Sequence, residues 1–410
     1  MIKKKVYITF LIAGLCALLL SFITKEEEKK DISFSLLNTQ KEYTAGSPVS
    51  IVFKSPTDIP ASLLLQSYRG SILVKGVYAN KTISFNIPEF YAQKAGYISW
   101  VLIAGTKSVH KGSFTIIPGA GTRLENYLGP RSMPTGNGHY TMMVSIPTDR
   151  YDNPKPDNTP TVIKTQFLET VSEQNIPTKN FISWKRINSP EKAGKILTSV
   201  SCQGVETKET ETDVYAGIPT NFKIDYTRNH NFADGNQATI LSTSVIKDEF
   251  GNIAGDGTMV TFLATTAKGV ILKTYGNTVR GVATAHILSP EHGDTYHVTA
   301  YINGMAESNT VTIKYEQIKT RIDYFISDDK RTITVGPVKS FMNQIAPDGT
   351  TVTLLVYKNN EPIKEIREYT KLGMAEFKLP EYYKKKYYSF TINVFGNTTG
   401  LKTLYNNAGK

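Results

Sequence analysis

The sequence predicts an all-β protein of four tandem β-sandwich domains behind an N-terminal hydrophobic anchor or signal helix. Three observations carry that reading. The dipeptide Pro-Glu recurs at residues 88, 190, 290 and 380, so the 410-residue chain repeats itself at intervals of 102, 100 and 90. Each copy leads into alternating apolar and polar residues that stop at a glycine, Gly105, Gly204, Gly304 and Gly396, and alternation is the period of a half-buried strand. No segment shows the spacing of an amphipathic helix, while 23 tyrosines and recurrent Thr and Val favour strands.

The register inside the repeated strand is specific. Eight residues before each glycine stand Tyr97, Ile196, Tyr296 and Tyr388. In the third copy Tyr296, Val298, Ala300 and Ile302 share a face; in the fourth, Tyr388, Phe390, Ile392 and Val394 do; in the second, Ile196, Thr198, Val200 and Cys202. The first copy is apolar on both faces, with Ile98, Trp100 and Leu102 as well, as expected of a covered strand. Upstream, Asp157-Asn158, Asp256-Gly257 and Asp348-Gly349 open strands from tight turns, because these pairs tolerate positive φ or bond their own backbone. Asn153 and Asn252 precede the turn aspartate by four residues and Asn343 by five, as if one residue were inserted. A tyrosine after a corner matches the tyrosine corner of immunoglobulin-like sandwiches, whose usual length of ~100 residues fits the repeat. Units are therefore expected over residues 31–118, 119–215, 216–315 and 316–410, with 1–30 as leader.

In the leader, Lys3, Lys4 and Lys5 precede an uncharged run from Val6 to Ile23, and Lys25-Glu26-Glu27-Glu28-Lys29-Lys30-Asp31 follows it. The run is about the minimum for a spanning helix, and the lysines place the N-terminus in the cytoplasm and the remainder outside. Val6, Phe10, Leu11, Leu18, Leu19 and Ile23 would hold it in the membrane. A retained anchor is favoured over a cleaved signal, because Phe22 and Ile23 stand where small residues are wanted. A lipoprotein at Cys16 comes third, because Leu15 precedes it. The expected location is extracytoplasmic and membrane-anchored, facing the periplasm or the exterior.

The third unit resembles the bacterial immunoglobulin-like repeat of the invasin/intimin group. The resemblance rests on Asn229-His230-Asn231-Phe232-Ala233-Asp234-Gly235-Asn236, Val245-Ile246-Lys247-Asp248-Glu249-Phe250-Gly251-Asn252, Asp256-Gly257-Thr258-Met259-Val260-Thr261-Phe262, Gly281-Val282-Ala283-Thr284-Ala285 and Tyr296-His297-Val298-Thr299-Ala300. These blocks cover most of residues 218–315; the other units match only through the internal repeat. The resemblance implies a bacterial source and an extracytoplasmic stalk or spacer module, and does not by itself imply adhesion to a host.

Composition removes other classes. Net charge is +11, but the positive residues are scattered and mostly Lys, unlike the concentrated Arg of nucleic-acid readers, so no nucleic-acid partner is expected. Cys16 and Cys202 are the only cysteines and one lies in the leader; an intramolecular disulfide framework and a Cys-based zinc site are excluded, and Cys202 reads as a small core residue. No nucleophile motif, H-E-x-x-H, P-loop or dinucleotide fingerprint is present. The chain is expected to be no enzyme, with no catalytic or metal residues, no cofactor and no small-molecule substrate.

Four sets of residues are candidates for binding. His286, His292 and His297 would gather if the hairpin from Ser289 to Asp294 were symmetric, though outward histidines on strands need no ligand. Asp152, Asp157 and Asp328-Asp329 are too sparse for calcium and read as turn residues. Trp184, beside Lys185 and Arg186 and six residues before Pro190, is expected in the core rather than as an interface anchor. The corner Glu381-Tyr382-Tyr383-Lys384-Lys385-Lys386-Tyr387-Tyr388 interleaves bases with rings, and aligns with Glu89-Phe90-Tyr91-Ala92-Gln93-Lys94. Tyr382, Tyr383, Lys385 and Tyr387 are the candidates for ligand contact, as an exposed loop in the last domain. The leading function is a non-enzymatic, membrane-tethered envelope rod acting in adhesion or as a scaffold or spacer. Its partner would be a protein or glycan in the envelope or on another surface. Alternatives are a surface glycan-binding protein and a subunit of an envelope secretion, motility or transfer machine.

Overall fold

A computed structural model describes residues 33–384 and 388–401. The leader with Val6, Phe10, Leu11, Leu18, Leu19 and Ile23 lies outside the described residues, as do Lys385 and Tyr387. No helix among the described residues is long and apolar enough to cross a membrane.

Strands dominate, as the alternation requires. The first unit packs a four-stranded sheet on a five-stranded one, and the second a three-stranded on a six-stranded one. In the third, strand Ile271–Val279 pairs with Met259–Thr265 and then with Val282–Leu288, so both layers join into one eight-stranded path. The fourth unit has three- and four-stranded sheets. Inward side chains build four separate cores within residues 34–116, 133–214, 222–315 and 318–395. The architecture is tandem immunoglobulin-like sandwiches.

The internal repeat reaches further than the sequence showed. Asn158, Gly257 and Gly349 all have positive φ. The aspartate before each accepts the backbone N–H found 24 residues later: Phe181 to Asp157, Arg280 to Asp256 and Leu372 to Asp348. Those three donors also have positive φ. Beside them the buried hydroxyls of Thr178, Thr278 and Thr370 donate to the carbonyls of Pro156, Gly255 and Pro347. The strained turns are thus closed by side chains that sequence comparison over 24 residues does not reveal.

Several expectations change. Trp184 is not in the core: it is 52% exposed, because strand Ser183–Asn188 turns Ser183, Lys185 and Ile187 inward. In the first unit Ile98, Trp100, Leu102 and Ala104 are buried while Tyr97 is 64% exposed, the opposite face from that of Tyr296. The corner tie is accordingly made by Tyr91, whose hydroxyl donates to the carbonyl of Gly70. Asn343 occupies the left-handed position of Asp152 and Gly251, and Gln344 stands four residues before Asp348, so no residue is inserted. His286 and His297 do not face one another across a hairpin. His286 pairs with Ile240 and His297 with Thr265 and Thr312, in different layers. Among the described residues no group of His, Cys, Asp or Glu is placed to hold a metal. Cys202 is buried, as expected, and burial raises its thiol.

The second core is the smallest: seven buried hydrophobic residues, against twenty in the first. Asn126, Ser145 and Ser183 form a row across its three-stranded sheet; their buried oxygens, with that of Thr198, have no protein partner. An unpartnered buried hydroxyl costs about 1–3 kcal/mol. Residues 119–215 are therefore expected to unfold first on heating, read by hydrogen exchange with mass spectrometry. Thr198→Val should raise that transition by a stability of about 1 kcal/mol, and a fall would contradict the assignment.

Candidate functional site

What could act as a site depends first on what joins the units. At each Pro-Glu corner the repeated strand begins one residue too late to pair the N–H before it, that of Ala95, Ala193 or Gly293. In all three junctions a side-chain amide oxygen accepts that N–H at 2.8 Å: Asn153 Oδ1, Asn252 Oδ1 and Gln317 Oε1. The Nδ2 of Asn153 and of Asn252 in turn donates to the carbonyls of Gln93 and Glu191. One side-chain amide beyond each corner, an asparagine in the first two junctions and Gln317 in the third, thus closes the corner of the unit before it.

Each asparagine is aimed by a buried aspartate four residues upstream. Asp248 Oδ1 accepts the N–H groups of Phe250 and Asn252, and its Oδ2 accepts Gly217 N–H at 2.9 Å and the Thr135 hydroxyl at 2.7 Å. Asp149 repeats this arrangement, taking Tyr151 and Asn153 on Oδ1 and Gly119 N–H on Oδ2 at 2.7 Å. The buried Lys155 ammonium donates to the carbonyls of Gly119 and Ala120, so the middle of the linker Pro118-Gly119-Ala120-Gly121 is held from both its N–H and its carbonyl side. Lys94 of the first corner donates to the carbonyl of Tyr151. Gly46 and Gly136 have positive φ, and a Cβ at either would collide with Tyr151 or Phe250, the aromatic residue between aspartate and asparagine. The third junction has Ser340 in place of the aspartate, and stacks Phe341 on Phe232 at 4.6 Å instead.

Burial by itself would raise the Asp248 carboxyl. The hydrogen bonds from the Asn252 and Thr135 side chains and from the Gly217 and Asn252 backbone outweigh it and bring Asp248 down to about 2. Asp149 is lowered by the same balance.

Two aromatic faces stand outside these clamps. Strands Arg123–Gly129, Tyr140–Thr148 and Ser183–Asn188 pair so that Tyr127, Val144 and Trp184 form one outward row. Met142 and Ile146 flank Val144, and Arg186 lies over the Tyr140 ring at 4.1 Å. Tyr127 and Trp184 are 60% and 52% exposed. At the fourth corner Tyr382 is exposed, whereas Tyr383 is buried against Tyr388 and Phe390, and burial pushes its hydroxyl up to about 12. The structure therefore divides the proposed tyrosine pair into one exposed ring and one core ring. Distance from Pro190 does not reveal this row, because the register of the Trp184 strand is set by pairing with Val144.

Fold and junctions define a tandem immunoglobulin-like protein. No protein-family model matches the chain. A curated relative, the inverse autotransporter adhesin YeeJ of Escherichia coli K12, is 29% identical over 163 residues, 38% of this chain and 6% of the relative. It supports the invasin/intimin-type resemblance and agrees with the absence of an expected enzymatic role. Among solved structures the chain is similar to FdeC, described as a broadly conserved Escherichia coli adhesin, at 13% identity and a TM-score of 0.47, over 72% of this chain and 99% of that one. It is also similar to invasin, described as a bacterial integrin-binding protein, at 10% identity and a TM-score of 0.43, over 90% of this chain and 78% of that one.

A group whose folded value lies below its unfolded value stabilises above the unfolded value, near 4 for a carboxyl, and loses that contribution as pH falls through the folded value. The junction at Gly217 is thus expected to open between pH ~4 and about 2. Proteolysis of the linker after acid pulses checks this. Asp248→Ala should open the junction at neutral pH, at a cost of about 2 kcal/mol or more. Asp248→Asn should flatten the acid dependence.

Proposed function

We propose that this chain is an extracytoplasmic, membrane-tethered adhesion rod. Residues 1–30 serve as the tether. The units 31–118, 119–215, 216–315 and 316–410 hold a binding face away from the membrane. The observation that supports this reading is the repeated clamp, since a linker hydrogen-bonded to the following unit transmits orientation where a free one would not. The curated adhesin relative gives the reading its direction.

Contact with a protein partner falls to the outward row of the second unit. Trp, Tyr, Met and Arg are the residues enriched at interface centres, and the one acidic side chain on this face, Glu125, lies at its edge beside the Tyr127 hydroxyl. Tyr382, with Lys385 and Tyr387, supplies a second contact at the far end, and Tyr383 holds that corner in shape.

Beads carrying the chain are expected to adhere to cell monolayers. The double variant Tyr127→Ala/Trp184→Ala should weaken adhesion about tenfold or more, with an unchanged melting profile because both side chains are exposed. Full adhesion by this variant would remove the face from the mechanism. Limited proteolysis after an acid pulse should release fragments cut near 118, 215 and 315, while at neutral pH the clamped linkers near 118 and 215 should resist cleavage, and fractionation should keep the whole chain with membranes.

A further inference from the structure

The end of the first unit remote from its junction carries a surface that the adhesive reading does not use. The chain enters the fold there: Ser35 pairs with Lys54 and Leu36 with Phe53, at the close of strand Ser50–Lys54. The same end gathers the loop from Ser55 to Pro60 and the hairpin joining Ala104 to Lys107. Beside them the chain from Lys75 to Val77 passes from the five-stranded to the four-stranded sheet. A recess of about 720 Å³ opens among these segments, with Asp58, Ile59, Leu73, Lys75, Tyr78 and Ile103 in its wall.

Two features set this end apart. Its apolar side chains are mostly aliphatic and poorly covered: Leu73 and Val77 are 59% and 61% exposed, and Ile59, Tyr78 and Ile103 are half-buried. Around them stand Lys54, Lys75, Lys81 and Lys107, all exposed and none ion-paired among the described residues. Lys81 belongs to the group because its carbonyl accepts the Ser55 N–H. Asp58 is the single carboxylate among these segments. The excess is particular to this unit: residues 33–118 hold eight Lys and Arg against three Asp and Glu, whereas residues 119–215 hold eleven of each.

This chemistry selects among partners. Centres of protein interfaces favour Trp, Tyr and Arg and are poor in Lys. Planar recognition of phosphate or carboxylate favours Arg, and the one arginine of the unit, Arg69, bonds the Phe90 carbonyl at the opposite end. Among the described residues no buried polar atom of this unit lacks a partner, so nothing marks a small-ligand site. A lipid surface suits the set. Aliphatic tips enter the headgroup layer, while lysine stems lie along apolar surface and keep their ammonium groups at the phosphates.

We propose that this end of the first unit rests on an anionic membrane, with Leu73, Val77 and Ile59 in the headgroup layer and the four lysines over lipid phosphates. The placement rests on the tethered reading: nine residues separate Ile23 from Ser33, which holds this end within about 35 Å of the uncharged run. The first unit then stands on the membrane, and the Asp149 clamp passes that orientation to the second.

Hydrogen exchange with mass spectrometry tests it on the full chain reconstituted into vesicles, comparing phosphatidylcholine alone with phosphatidylcholine mixed with phosphatidylglycerol. Each lysine held near an anionic surface strengthens binding about fivefold. Exchange over residues 55–60, 76–81 and 104–107 should therefore slow about tenfold or more on the anionic vesicles and recover in high salt, with the other three units unchanged. The triple variant Lys75→Glu/Lys81→Glu/Lys107→Glu should lose this protection while exchange in strands Ser50–Lys54 and Thr82–Asn86 stays as in wild type. Asp58→Asn should increase it. Extraction with alkaline carbonate separates this contact from the tether. Protection together with release of the chain keeps the contact and removes the tether; retention with equal exchange on both vesicles removes the contact alone. The proposal is overturned by equal exchange on the two vesicles or by a triple variant as protected as wild type. It is overturned equally if heparin without vesicles gives the same protection, which would assign the face to an acidic polysaccharide.

Discussion

A backbone N–H at the start of a strand, one residue beyond its last sheet partner, must find an acceptor, and the other junction bonds gather around that need. At the corners of the first three units the acceptor is a side-chain amide oxygen at 2.8 Å. In the first two junctions a buried carboxylate orients the asparagine that supplies it, and the same carboxylate takes the linker N–H. Corner, linker and following loop therefore form one hydrogen-bonded body. Unpairing any member leaves buried donors without acceptors, a cost that a free linker does not carry.

The second unit inverts the usual distribution of residues. Its three-stranded sheet turns Asn126, Ser145 and Ser183 inward and Tyr127, Val144 and Trp184 outward. Rings that would have enlarged a small core are spent on a surface, and hydroxyls take their place inside. Half-buried Lys185 belongs to the same inward face, and burial lowers its ammonium. A weak core beneath an aromatic face is the pattern expected when binding rather than stability has shaped a sheet.

Much of this was legible in the residues. The Pro-Glu period, the turn pairs Asp157-Asn158, Asp256-Gly257 and Asp348-Gly349, and the alternation after Tyr296 and Tyr388 follow from local rules, because strand period and left-handed turns are decided within a few residues. Cys202 was placed in the core on the same basis. Trp184 and Tyr97 were harder, since each sits on a strand where two registers are locally equivalent, and Tyr383 because the 3-10 turn Glu381–Lys384 turns one of two adjacent tyrosines inward. A one-residue shift exchanges inside for outside, and only the neighbouring strand selects between them. The clamps were less visible still: Asn153 and Asn252 were noticed as spaced repeats, but their partners at Ala95 and Ala193 lie 58 and 59 residues away.

That the chain is all-β and repeats at about one hundred residues follows from period, turn chemistry and local composition, and the resemblance of the third unit to the invasin/intimin group from its ordered blocks of residues. Tertiary structure decided which aromatics face solvent, that Asp149 and Asp248 tie neighbouring units together, and that Lys54, Lys75, Lys81 and Lys107 gather where the chain enters the first unit. Each of those depends on which strands and corners meet. Long-range pairing sets that, and no local window of the chain contains it.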